Sequence, residues 1–276
     1  MAVHEADALV PRIQEIQGQG AFHMSQGRYR QAEDLLLEAL ALCGELGEGG
    51  AMLFAGVSNE LGVLYKTVGR IDDAEPLYWH ALEVFERVLG PEHPQIASIY
   101  HNLGGLEHAR RNWAEAERLG RRSVAIRERG LGPGHIEVAA DKAALAAVLV
   151  DAGKTGEAMP LLEEARAVFE AELGCDHYEV AAVLHTMAAA HFKDGRLPEA
   201  EATYRQALAI KERALGYTHP DVAATLNNLA LIWHKSGRHH EAEAAYRHCL
   251  SLVDSDHPLH LACLHNLARL HEVSGA

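Results

Sequence analysis

The residues with the most chemistry to offer in this chain are its 19 histidines and four cysteines. Histidine binds metals and moves protons near neutral pH, and a thiolate is a nucleophile or a metal ligand. They are densest in NNLALIWHKSGRHHEAEAAYRHCL, Asn227 to Leu250, which holds four histidines and Cys249. A metal site needs ligands at close spacing on one face, as in HExxH, and no such motif occurs. His101 and His108 share a helix face, but a rise of about 10 Å separates them, too far to hold one ion. His257 and His260 are an isolated i, i+3 pair. Cys43, Cys175, Cys249 and Cys263 include no CxxC pair, which reads as free, reduced thiols. GxGxxG, GxxxxGK[ST] and GxSxG are all missing. The principal expectation is no catalytic residue, no metal and no cofactor. The alternative is a histidine-lined cleft for a metal or small molecule, either with His101, His108 or His185 as acid or base, or with His234, His239 and His240 gathered at the turn of Gly237.

What positions these residues is a repeat. GRYRQAEDLLLEAL from Gly27, GRIDDAEPLYWHAL from Gly69, GRLPEAEATYRQAL from Gly195 and GRHHEAEAAYRHCL from Gly237 align at 42 residues or a multiple of it. GKTGEAMPLLEEA fits at Gly153, and RNWAEAERLGRRS fits with Arg111 where the glycine is lost. Two small positions recur in register: Ala32, Ala74, Ala116, Ala158, Ala200 and Ala242, then Ala39, Ala81, Ser123, Ala165, Ala207 and Cys249 seven residues later. Small residues one heptad apart make a flat stripe on which another helix lies close. A second apolar-periodic stretch precedes each glycine, so each unit reads as helix A, a tight turn and a longer helix B. Units end in LGPEHP, LGPGH, LGCDH, LGYTHP and the shorter SDHP, where glycine stops helix B and proline suits the start of the next helix A. His93, His135, His177, His219 and His257 recur in these linkers, and His23, His191 and His271 replace the aromatic near the end of helix A. All eight read as structural.

Composition agrees with an all-α chain: aromatics are 6% and prolines number nine. The net charge of −14, from 25 Lys and Arg against 39 Asp and Glu, argues against a nucleic-acid partner, which needs a basic stripe. Apolar runs such as LAAVLV are too short to span a bilayer, and MAVHEADALVPRIQ lacks a basic n-region, so a soluble, cytoplasmic protein without membrane contact is expected.

HPDVAATLNNLALIWHKSGRHHEAEAAYRHCLSL resembles the tetratricopeptide repeat in its 42-residue, kinesin-light-chain-like form. The resemblance implies an all-α, right-handed superhelical solenoid of antiparallel helix pairs whose helices A line a concave groove. Over residues 1–276 it implies a single array of about six repeats, roughly 10–258, with a capping helix at 259–274. It also implies a protein or peptide ligand in the groove. Carried over position by position, the groove holds Asn59, His101, His185 and Asn227 two residues before the central helix A leucine or methionine. It further holds Lys66, His108, Lys193, His234 and Lys235 just before the turn. In that reading Asn59 and Asn227 clamp a backbone or carboxylate, and Lys66, Lys193 and Lys235 pair acidic side chains of an extended or acidic peptide. A homodimer through Leu261, Leu264 and Leu267 is a further expectation.

Overall fold

The computed structural model describes residues 3–255 and 257–274, and among them the long elements are all α-helices. The chain divides into two compact units, Met1–Pro133 and Gly134–Ala276. In the first, helices A are α1 (Val3–Ser25), α3 (Ala51–Thr67) and α5 (Pro94–Ala109), each followed by a helix B: α2 (Tyr29–Glu45), α4 (Ile71–Leu89) and α6 (Trp113–Leu131). In the second, α7 (Ile136–Asp151), α9 (Tyr178–Lys193) and α11 (Pro220–Lys235) alternate with α8 (Thr155–Leu173), α10 (Leu197–Leu215) and α12 (His239–Leu252). The second unit also contains α13 (Pro258–Ser274), packed on α12 and α11. Within each unit a helix A packs most extensively on its own helix B, and each helix B then packs on the next helix A.

The small-residue stripe is where the pairs close. All twelve positions are at most 1% exposed. Ser123, the one hydroxyl among them, donates to the Ala97 carbonyl at 2.8 Å, so its polarity is satisfied inside the interface. Gly62 makes a similar approach: a Cβ there would stand 2.6 Å from the Tyr78 ring.

The Gly-Arg dipeptide has two jobs. After α3, Gly69 donates to the Lys66 carbonyl at 3.1 Å and Arg70 donates to the Tyr65 carbonyl at 2.8 Å, with Gly69 at φ 81°. That is a helix stop with a left-handed residue after the helix, which a side chain disfavours. Arg111 adopts φ 61° in the same turn, with Asn112 donating to the Glu107 carbonyl at 2.9 Å, so the turn survives the loss of glycine. In two copies the arginine bridges the preceding helix B and its own: Arg70 pairs with Glu33 on α2 and Asp73 on α4, and Arg238 with Glu201 on α10 and Glu241 on α12, whereas Arg196 pairs with Asp194 in the turn.

The linker histidines are helix N-caps. The Nδ1 atoms of His93, His135, His177 and His219 accept from the N–H groups of Gln95, Glu137, Glu179 and Asp221 at 3.1–3.3 Å, and His257 does so from Leu259 at 3.1 Å. A ring nitrogen thus does what a serine or aspartate oxygen does at most helix starts.

Candidate binding face on helices A

Within each unit, consecutive helices A are joined by polar rungs with a fixed offset. Gln17 donates to Glu60 at 2.7 Å and Asn102 to Asn59 at 2.9 Å in the first unit. In the second, Tyr178 donates to Asp221, Asn228 to His185 Nε2 at 3.2 Å, and Lys193 to the Val150 carbonyl at 2.9 Å. Each rung spans 43 residues, one repeat plus one position. Between α11 and α13 the linker is four residues shorter, and the rung from Asn266 to Asn227, at 3.1 Å, spans 39.

These rungs occupy several of the residues that the sequence points to. Asn59 is half-buried and accepts from Asn102. Asn227 is buried, and its Oδ1 accepts from both Asn266 and the Cys263 thiol. The Sγ atoms of the buried Cys249 and Cys263 lie 2.7 Å apart, and the contact and burial push the Cys249 thiol up. Lys193 donates to the Val150 and Asp151 carbonyls and to the Asp151 carboxylate, so its cation sits at the negative end of the α7 dipole. His185 stacks edge-on against Tyr204, with Nδ1 3.3 Å from Thr225 Oγ1. Burial first, then the nearby Lys211 ammonium, lowers its pKa to about 4. This histidine is neutral at neutral pH, and both its nitrogens are engaged.

The others are more open. His101 and His108 lie half-buried on α5, and His108 packs against Trp113 with ring centroids 5.3 Å apart. Lys66 is half-buried, its pKa lowered by desolvation, and it has no carboxylate partner among the described residues. Its Nζ fills the space beside Gly105, 3.1 Å from where a Cβ would be. His234 faces His239 with ring centroids 6.0 Å apart, and Lys235 lies 4.4 Å over the Phe192 ring. Burial first, then the charges of His239 and Arg269, lowers the His234 pKa.

His234 and Lys235 line a pocket of about 120 Å³ between α11 and α13 with Leu231, Asn266 and Arg269. Of the nine residues, Asn59, Lys66, His101 and His108 belong to the first unit and the rest to the second. Asn266 and Arg269 were missed by the sequence reading, although a signal existed. Aligning HP at 257–258 with HP at 219–220 puts Arg269 at the register of Leu231, otherwise apolar or glycine. Among the described residues, no three of His, Cys, Asp or Glu converge to hold a metal ion, and no helix is long and apolar enough to cross a membrane.

The tetratricopeptide repeat family model matches residues 53–129, 95–171, 138–213, 179–255 and 221–275, and a second tetratricopeptide repeat model matches 20–46. The chain belongs to the tetratricopeptide repeat family. Repeats of this kind are generally protein-interaction scaffolds. Among solved structures, BtubC (BKLC) from P. vanneervenii is similar at 21% identity and a TM-score of 0.64, over 82% of this chain and 90% of that one. A kinesin light chain-like protein from Podosopora anserina, built of nearly identical TPR-like repeats, is 28% identical with a TM-score of 0.55, over 66% and 89%. The STAND protein PH0952 from Pyrococcus horikoshii, which carries a tetratricopeptide repeat sensor, is 14% identical with a TM-score of 0.67, over 94% of this chain and 38% of that one. No protein of curated function matches the chain.

Proposed function

We propose that this tetratricopeptide protein is a non-enzymatic scaffold that holds an extended, acidic peptide along the helix A faces of its repeats. One observation carries the reading. In a chain where acids exceed bases by 14, Lys66 on α3 and Lys235 on α11 have no carboxylate partner among the described residues. By contrast Arg110, at the end of α5, holds Asp72, Glu75 and Glu107 at once. Cations kept free of the surplus acids favour an anionic ligand, and their field is focused by the walls around them. His101 and His108 on α5 add hydrogen-bonding contacts beside Lys66 in the first unit. The rungs through Asn59, His185, Lys193 and Asn227 hold successive helices A in register behind it. The exposed Leu261 and Leu264 of α13 are the surface through which two copies would pair.

The test is fluorescence anisotropy with a labelled decaglutamate peptide. Binding should weaken as salt shortens the Debye length from about 10 Å at 0.1 M to about 3 Å at 1 M. It should weaken again in Lys66→Glu and in Lys235→Glu. Absence of binding to the wild type, or equal binding by both variants, would sink the reading.

A further inference from the structure

We propose that the pocket between α11 and α13 is a receptor for a single phosphoryl-type dianion, held by Arg269 and Lys235 with Asn266 and His234 at its sides. The choice of a peptide as one source of that group rests on the scaffold reading above; the pocket itself does not.

The pocket carries two cations. Arg269 and Lys235 are both exposed, and neither has a carboxylate partner among the described residues. On neighbouring helices Glu243 is paired with Arg247 and His271, and Glu201 with Arg205 and Arg238, while Glu272, one turn beyond Arg269 on α13, makes no ion pair with it. Two uncompensated cations match a dianion better than a single carboxylate. Arg269 brings a planar fork of N–H donors and Lys235 a compact ammonium, the two forms in which proteins bind phosphate.

Preorganisation comes next. Asn266 is anchored by its bond to the buried Asn227, which leaves its second N–H for a ligand. Lys235 rests on the Phe192 ring, so neither side chain has to be ordered from solution. A volume of about 120 Å³ has room for several waters and so for a four-oxygen group. The first unit offers a contrast at the same register: there Gly105 stands where α13 has Arg269, and the Lys66 ammonium fills the space.

The experiment uses the full chain labelled with ¹⁵N, following the Asn266 side-chain amide and the His234 ring by NMR. Inorganic phosphate and acetate are titrated separately at constant ionic strength. The expected result is a saturable shift with phosphate, at least tenfold weaker binding of acetate, and at least a tenfold loss of phosphate affinity in the Arg269→Gln, Lys235→Gln double variant. Both positions are exposed, and an unchanged circular dichroism spectrum establishes that the variant is folded. No saturable shift, acetate binding equal to phosphate, or full affinity in the double variant would each overturn the proposal. A decaglutamate peptide carrying one phosphoserine separates the sources. Tighter binding than free phosphate identifies a peptide-borne phosphoryl group; equal or weaker binding identifies free phosphate. Phosphate binding without any peptide binding would refute the scaffold reading and keep the pocket, whereas peptide binding insensitive to phosphorylation and to Arg269→Gln alone, yet weakened by Lys66→Glu, would refute the pocket and leave the scaffold reading standing.

Discussion

Replacing His185 with glutamine should make the protein less sensitive to acid. The hydrogen bonds around this ring fix its tautomer. Thr225 donates its hydroxyl proton to the Asp221 carbonyl and accepts from Lys211, so toward His185 it can only accept, and Nδ1 carries the hydrogen. Nε2 then faces the Asn228 amide as an acceptor. A second proton would set two donors against each other at Nε2 and place a cation near the Lys211 ammonium. Burial first, and then the Lys211 ammonium, hold the folded pKa at about 4, below the ordinary 6.5. Between these values the unfolded chain binds more protons than the folded one, so stability is full above about pH 6.5 and is lost as pH falls toward 4. At about 1.4 kcal/mol per pH unit, the loss is roughly 3 kcal/mol over the whole window. The assay is urea unfolding of the wild type and His185→Gln at pH 7.5 and pH 4.5, followed by Trp233 fluorescence on α11 with Trp79 and Trp113 replaced by Phe. The difference in stability between the two proteins should move in the variant's favour by roughly 2.5 kcal/mol on acidification. Comparing the two cancels the other histidines and the carboxylates. Parallel pH profiles would refute the assignment of His185 as a ring that is neutral when folded.

Three further outcomes follow from the turns and interfaces. Gly62→Ala should cost about 1–3 kcal/mol through overlap with the Tyr78 ring, measured by thermal melting; an unchanged melt would mean that α3 and α4 pack more loosely than described. Arg111→Gly should raise stability by about 1 kcal/mol by relieving a left-handed backbone in a residue with a side chain, and a lower melting temperature would contradict the turn. His177→Ala should cost about 1 kcal/mol by uncapping α9, and His177→Asp should restore most of it, because an aspartate oxygen can accept the same Glu179 N–H; failure of the aspartate to rescue would argue against capping.

The fold was legible because its signals are local and periodic. The glycines, the small-residue stripe and the linker histidines repeat every 42 residues, and each has a backbone or packing reason that needs no knowledge of distant contacts. The arginine after the glycine was less legible, since in two copies one of its two carboxylate partners sits a repeat away on the preceding helix B. The binding face was less legible still. Sequence register places Asn59 and Asn227 on helix A, but it does not say that a neighbour one repeat and one position away will take their hydrogen bonds. That offset depends on the stagger between successive helices, which no single repeat encodes. The pocket at Arg269 was obscured by the four-residue deletion in the last linker, which moves α13 out of simple 42-residue counting. Nor does the 42-residue period mark the division near residue 133, because the repeat runs through it unchanged.

The 43-residue rungs also govern which changes in chain length the protein can absorb. A bond that recognises only its counterpart on the next repeat does not register how many repeats there are. Duplicating or excising a complete 42-residue segment would keep the one-repeat-plus-one offset that brings rung positions of successive helices A together within a unit. A single residue inserted in the middle of α11 would rotate the downstream part of the helix by about 100° and carry its rung residues off the shared face. Changes of chain length by whole repeats are therefore compatible with the rungs, whereas a shift inside a helix is not; the shortened linker before α13 shows a length change accommodated between helices.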